Sequence, residues 1–204
     1  LHGSVTVPLS DELGVNVNFM TNGETQSQEL DTISNLKSQY QPQLKSFLAP
    51  ISYERPKGLL KVRGEVLIER QIEQLRAAGV NDIVVVVGYK KESFYYLEDK
   101  YGVGIVVNRA YAERNNNSSL MLVREVLGNT YICSSDNYFE ENPFESHVWK
   151  AYYSAEYAEG PTKEWCLEVG ARGRITGVRV GGSDAWYMIG HAYFDRAFSE
   201  HFRE

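Results

Sequence analysis

Cysteine is scarce in this chain: only Cys133 and Cys166 occur among 204 residues, far apart and each inside an apolar stretch. Two such thiols read as reduced core residues, the usage expected of a cytosolic protein. Long apolar runs are missing too. None approaches the roughly 20 residues of a spanning helix, and no charged-then-apolar leader opens the chain, so membrane insertion is not expected. Positive charge is outweighed, 21 Lys and Arg against 27 Asp and Glu, leaving a formal charge of -6. That sign argues against a nonspecific nucleic-acid binder, which needs cations to displace counterions, and leaves small metal-neutralised anions as ligands. His2, His147, His191 and His201 show no ligand spacing, no Ser-His-Asp or Cys-His order stands out, and a hydrolase triad is unsupported. Internal repeats and low-complexity tracts are absent.

What is present is ordinary for a globular protein, 43% hydrophobic and 24% charged residues in a length that suits one domain with a sizeable core. The chain opens on Leu rather than Met, as a fragment or a processed or altered product would. Residues 1–43 are rich in Ser, Asn, Gln and Thr; they read either as a remnant of a small helical domain, with Leu30, Ile33 and Leu36 on one face, or as a solvated leader. The main domain is expected over 44–204. Pro50 and Pro56 bracket an extended loop. Ile68, Ile72 and Leu75 have helical spacing with Gly79 as terminator, and Asp82 to Val87 is an unbroken β-branched run, the mark of a central parallel strand. Phe94, Leu97 and Tyr101 give a second helix stopped by Gly102, Ile105 to Val107 a further strand, and Leu120 to Val126 a third helix before the strand Thr130 to Cys133. Helix and strand in this alternation predict right-handed crossovers and an α/β, Rossmann-like, doubly wound mixed sheet. Shorter strands are expected at 152–157, 165–169, 174–180 and 186–192, then a closing helix over 194–202.

Asp136 follows an apolar strand at its carboxyl end, where open α/β sheets bind ligands. Lys57 upstream supplies a counter-charge and Asp195 downstream a second carboxylate, the layout of a metal-dependent phosphoryl-type transferase. Each has a plainer role open to it: Asp136 as a turn former, Asp195 as a helix cap, Lys57 as an exposed lysine.

Pro50-Ile51-Ser52-Tyr53-Glu54-Arg55-Pro56-Lys57 resembles the end of the nucleotidyltransferase signature. Together with Val87-Gly88-Tyr89, Asn115-Asn116, Ser119-Leu120, Ser135-Asp136-Asn137-Tyr138, Glu164-Trp165 and Phe194-Asp195, it most resembles the bacterial phosphocholine cytidylyltransferases, from Phe47 onward. The resemblance implies a sheet of the nucleotidyltransferase type and transfer of CMP from CTP to phosphocholine, with Mg²⁺ as cofactor. It implies Lys57 as the catalytic cation and Asp136 and Asp195 as metal ligands. Nucleotide contacts would come from Gly88, Asn115, Asn116 and Ser119. The acceptor's quaternary ammonium needs aromatic faces, for which Tyr138, Trp165, Tyr187 and Tyr193 are the candidates, Trp165 first.

One part departs from the family pattern. Where a Gly-rich loop ending in a basic residue is expected after a first strand, Gln41 to Leu48 holds no glycine, and Phe47 stands at the basic position. Backbone amides approach phosphates closely only where side chains are absent. Two alternatives stay beside the enzyme reading: a catalytically silent nucleotide- or choline-binding regulatory module, and a sugar-1-phosphate nucleotidyltransferase.

Overall fold

The computed structural model describes residues 16–19, 55–114 and 117–204, the first of these as backbone. In chain order the elements are β1 (Asn16–Phe19), a 3-10 turn at Lys57–Leu59, the small hairpin β2 (Lys61–Val62) and β3 (Glu65–Val66), α1 (Leu67–Ala77) and β4 (Ile83–Val87). Then come α2 (Tyr96–Tyr101), β5 (Gly104–Val107), α3 (Asn117–Val123), β6 (Thr130–Ser134), β7 (Tyr152–Val169), β8 (Ile175–Phe194) and α4 (Arg196–Arg203).

The six-stranded sheet has the order β5-β4-β1-β6-β8-β7. The first four strands run parallel, and β8 and β7 are antiparallel additions. Because successive side chains on a strand face opposite ways, β4 feeds two cores. Val85 and Val87 join Ile68, Ile72 and Leu75 of α1 and Leu97 of α2 on one face. Val86 joins Leu120 and Val123 of α3, with Phe202 of α4 packed against them, on the other. Burial on both faces is why the run Ile-Val-Val-Val-Val carries no polar alternation, and it makes the sheet doubly wound as expected.

Two expectations are corrected. β1, with backbone paired to β4 at Val17↔Val84 and to β6 at Val17↔Ile132, puts residues 16–19 in the middle of the sheet, so the sheet does not begin at residue 44. Its short, polar-interrupted sequence, Asn-Val-Asn-Phe, hid it. The other expectations for the first 54 residues, the helical stretch and the glycine-free Gln41 to Leu48, lie outside the described residues. The four short strands expected after 150 are instead two long ones, β7 of 18 and β8 of 20 residues. Register shifts at Tyr153/Ala155, Ala158/Pro161, Thr162/Trp165 and around Cys166 interrupt the alternation, so the ribbon reads in sequence as separate pieces.

Candidate active site

The chain steps from β1 to β4 to β5 on one side, then returns to place β6 on the other side of β1. The carboxyl ends of β1 and β6 therefore flank the point where strand order reverses, the crevice in which such sheets hold ligands. Two of the expected residues meet there: Lys57 Nζ lies 3.9 Å from Asp136 Oδ2, and both side chains are partly exposed.

Each is held by its own turn. Pro56 is buried and extended, its carbonyl accepts from Leu59 N–H at 2.9 Å, and the Lys57 carbonyl accepts from Leu60 N–H at 2.9 Å. Leu67 N–H donates to the Leu60 carbonyl at 3.1 Å, tying the lysine turn to the start of α1. Asp136 stands in a turn closed by Asn137 N–H on the Ser134 carbonyl, at 3.3 Å. Buried Gln71 of α1 donates from Nε2 to the Ser134 carbonyl at 2.7 Å and the Asn137 carbonyl at 2.9 Å. On the opposite side Asn137 Nδ2 donates to the Ile189 carbonyl at 2.7 Å, and Gly190, at φ +72, leaves room for Ser134, whose hydroxyl a side chain there would strike. Burial pulls the Lys57 pKa below the ordinary lysine range, and the Asp136 charge pulls the other way. A desolvated ammonium beside a carboxylate suits a position that receives phosphate oxygens.

The candidate nucleotide residues have structural duties. Gly88 ends β4, and a Cβ there would stand 2.6 Å from Tyr111 Cβ, so its bareness accommodates Tyr111. Ser119 is buried, its hydroxyl accepting from Asn108 Nδ2 at 2.9 Å, and Ser118 receives a second bond of 2.9 Å from the same amide. Asn115 and Asn116 lie outside the described residues.

The aromatic candidates separate. Tyr193 is a core residue, 7% exposed, with its ring 5.0 Å from Tyr131 and 6.1 Å from Tyr152, so it is withdrawn from the acceptor set. At this point β8 runs between β6 and β7, paired on both sides. Tyr138 already carries a cation, with the Arg70 guanidinium 4.9 Å and the Arg63 guanidinium 5.7 Å from its ring. Arg70 is fixed there by Glu65 and by the carbonyls of Phe139 and Glu140. Trp165 and Tyr187 lie on the ribbon beyond the carboxyl end of β6. Trp165 is 55% exposed, and its neighbour Cys166 pairs with Tyr187 as well as with Arg179, so the ribbon curls back on itself. Tyr187 O–H donates to Glu156 at 2.7 Å. Desolvation and that bond push its pKa up to about 12, with Glu164 adding to the negative field. Sequence reading missed Glu156, which sits 31 residues from Tyr187 and is joined to it only by ribbon register.

Asp195 does not join Asp136. Phe194 pairs with Thr130 at the amino end of β6, whereas Asp136 follows its carboxyl end. At about 3.3 Å per residue the two carboxylates stand on the order of 20 Å apart. Both Asp195 oxygens are also engaged, Oδ1 by Phe198 N–H at 2.8 Å and Oδ2 by Ala151 N–H at 3.0 Å. The shared-metal expectation is thereby corrected: Asp195 caps α4. Among the described residues no group of three or more His, Cys, Asp or Glu is placed to hold a metal ion. Mg²⁺ commonly takes one or two carboxylates and completes its shell with phosphate oxygens and water, and Asp136 fits as such a carboxylate.

Residues 52–156 match the family described as MobA-like NTP transferase domain. The choline-phosphate cytidylyltransferase of Streptococcus pneumoniae is 39% identical over 153 residues, 75% of this chain and 67% of that protein. The chain belongs to the nucleotidyltransferase family. The 2-aminoethylphosphonate cytidylyltransferase of Lancefieldella rimae is also 39% identical, over 72% of this chain and 61% of that protein. Among solved structures, the CTP:phosphocholine cytidylyltransferase from Streptococcus pneumoniae, LicC, superposes with a TM-score of 0.74 at 32% identity, covering 93% of this chain and 73% of that one. A UDP-glucose pyrophosphorylase complexed with UDP-glucose shares the nucleotidyltransferase fold, at a TM-score of 0.61 and 12% identity, over 95% of this chain and 80% of that one. The chain spans 61% to 67% of the length of the cytidylyltransferases of Streptococcus pneumoniae, Lancefieldella rimae and Haemophilus influenzae. Among the described residues no helix is long and apolar enough to cross a membrane.

Proposed function

We propose that this nucleotidyltransferase moves CMP from CTP to phosphocholine, releasing pyrophosphate and forming CDP-choline. The observation that carries the proposal is the Lys57–Asp136 pair at the strand-order reversal, in a chain 39% identical to a choline-phosphate cytidylyltransferase. In the reaction an oxygen of the acceptor phosphate forms a bond to the α-phosphorus of CTP while the bond to the β-phosphate oxygen breaks in line. Positioning and charge neutralisation supply nearly all the rate of such a step. Lys57 holds the phosphates as a point charge, and its partial burial strengthens that attraction. Asp136 is the carboxylate to hold Mg²⁺, which when bound neutralises phosphate charge. Asp136 does not act as a base here, since the acceptor phosphate is already an anion. Gly88, Ser119, Asn115 and Asn116 are the residues proposed to border the nucleotide, Gly88 and Ser119 by shaping its walls.

The acceptor's cation is assigned to the ribbon. Trp165 and Tyr187 offer ring faces and Glu156 and Glu164 a negative field, the chemistry that holds a quaternary ammonium. Sugar-1-phosphates, which call for several neutral polar partners, suit this surface less well. One observation favours a silent binder as the second reading: Gln41 to Leu48 contains no glycine. Pyrophosphate release from CTP and Mg²⁺, measured with phosphocholine, 2-aminoethylphosphonate and glucose-1-phosphate in turn, tests the proposal. Release with phosphocholine foremost is expected. Binding of acceptor without release selects the silent binder, and release with the sugar phosphate alone overturns the acceptor assignment.

A further inference from the structure

Gln71 occupies an apolar position. On α1 it shares the buried face with Ile68, Ile72 and Leu75, yet it is a primary amide with 1% of its surface exposed. Its Oε1 is buried with no hydrogen-bond partner among the described residues. A buried acceptor left unpaired is costly, so core packing alone would select Leu at this position. The other end of the amide accounts for its presence: Nε2 spans the two carbonyls, Ser134 and Asn137, that frame the turn carrying Asp136. The same helix begins at Leu67, whose N–H holds the Leu60 carbonyl and through it the Lys57 turn. α1 is thus the common frame of a cation and a carboxylate that stand on separate turns, and Gln71 is its grip on the carboxylate.

We propose that Gln71 is a positioning residue for nucleotidyl transfer, setting the Asp136 turn, and with it the Lys57–Asp136 spacing, at the distance the phosphates require. The inference rests on the function proposed above for its kinetic consequence, but not for its structural one. Gln74, one turn along the same helix, provides an internal control. It too is buried, has an unpartnered Oε1 and donates from Nε2 to two carbonyls, at 3.1 and 3.4 Å. Those carbonyls belong to Phe139 and Glu141, beyond the Asp136 turn.

The test compares Gln71→Leu, Gln71→Glu and Gln74→Leu in the full chain. A displacement of about 1 Å at a reacting site costs on the order of 100-fold. Gln71→Leu should accordingly lower kcat by roughly 10- to 100-fold with acceptor KM little changed, whereas Gln74→Leu, with a comparable change in Tm, should keep kcat within about twofold. A buried glutamic acid retains one donor only while protonated, so Gln71→Glu should regain kcat as pH falls, a profile the parent chain lacks. Amide exchange over residues 134–138, which needs no turnover, should quicken in Gln71→Leu and not in Gln74→Leu. Equal losses of kcat in the two leucine variants, or unchanged exchange over 134–138 in Gln71→Leu, would overturn the proposal. A parent chain that releases no pyrophosphate would fail the functional reading alone, leaving the exchange comparison to decide the role of Gln71.

Discussion

Lys57 Nζ and Asp136 Oδ2 stand 3.9 Å apart, farther than a tight ion pair, although both sit in turns held by several hydrogen bonds. Replacing the lysine by methionine keeps its length and removes its charge. Pyrophosphate release should then fall by at least about 100-fold, consistent with one charged contact worth several kcal/mol to a transferring phosphoryl group. Lys57→Arg should restore only part, because a planar fork does not reproduce a compact ammonium. Steady-state kinetics with CTP and phosphocholine measure it, and an active Lys57→Met protein would remove the lysine from the site.

Asp195→Ala should behave as the loss of a helix cap. A cost of about 1–2 kcal/mol is expected, with a Tm lower by several degrees. The Mg²⁺ dependence of turnover should stay as in the parent chain, whereas Asp136→Asn should abolish turnover. A raised Mg²⁺ requirement in Asp195→Ala would restore Asp195 to the metal site.

The ribbon assignment predicts a graded response to acceptor charge. Trp165→Ala should weaken phosphocholine by about 0.5–2 kcal/mol in calorimetry, the worth of a cation-π contact. Glu156→Gln removes the anionic partner of Tyr187 and should weaken phosphocholine and 2-aminoethylphosphonate while leaving glucose-1-phosphate as it was. Unaltered phosphocholine affinity in both variants would move the cation elsewhere.

His191 offers a pH test of the core beside the site. It is 3% exposed, packed against Tyr131, Phe139 and Phe144 and bonded to Ser154 Oγ at 3.1 Å, and burial lowers its pKa to about 4. Between about 6.5 and that value the unfolded chain binds a proton that the folded chain refuses. Stability is therefore full above pH ~6.5 and is lost as pH falls toward 4, by up to about 3 kcal/mol from this residue. Urea midpoints at pH 7 and pH 5 should diverge in the parent chain and converge in His191→Phe. Equal slopes in both proteins would show that the imidazole titrates normally.

Three of the four parallel strands were legible because burial on both faces leaves a plain signature, as in Ile83 to Val87, and because Gly79 and Gly102 mark helix ends; β1 was not, its Asn-Val-Asn-Phe lacking that signature. The ribbon was harder, since each register shift resets the alternation by which a strand is recognised. At the site, Lys57 and Asp136 were readable as charges beside turn signals. Asp195 illustrates the converse: a carboxylate before a helix is selected by capping as readily as by metal binding, and only strand register tells which end of β6 it occupies. Gln71 carried a signal that went unused, a polar residue at an apolar position of an amphipathic helix. Glu156 carried none, because its partner is chosen by the ribbon's bulges.

Those same bulges bear on how the protein behaves at high concentration. β7 lies at one edge of the sheet, with β5 at the other, and a straight strand there would offer a row of unpaired amides and carbonyls to another chain. The shifts after Tyr153, Ala158 and Thr162 break that row, Pro161 removes a donor from it, and exposed Glu156, Glu159, Lys163, Glu164 and Glu168 set charge along it. The irregularity that hid the ribbon from sequence reading therefore also guards it against edge-to-edge aggregation, and straightening it by deletion at the shifts would invite fibre formation.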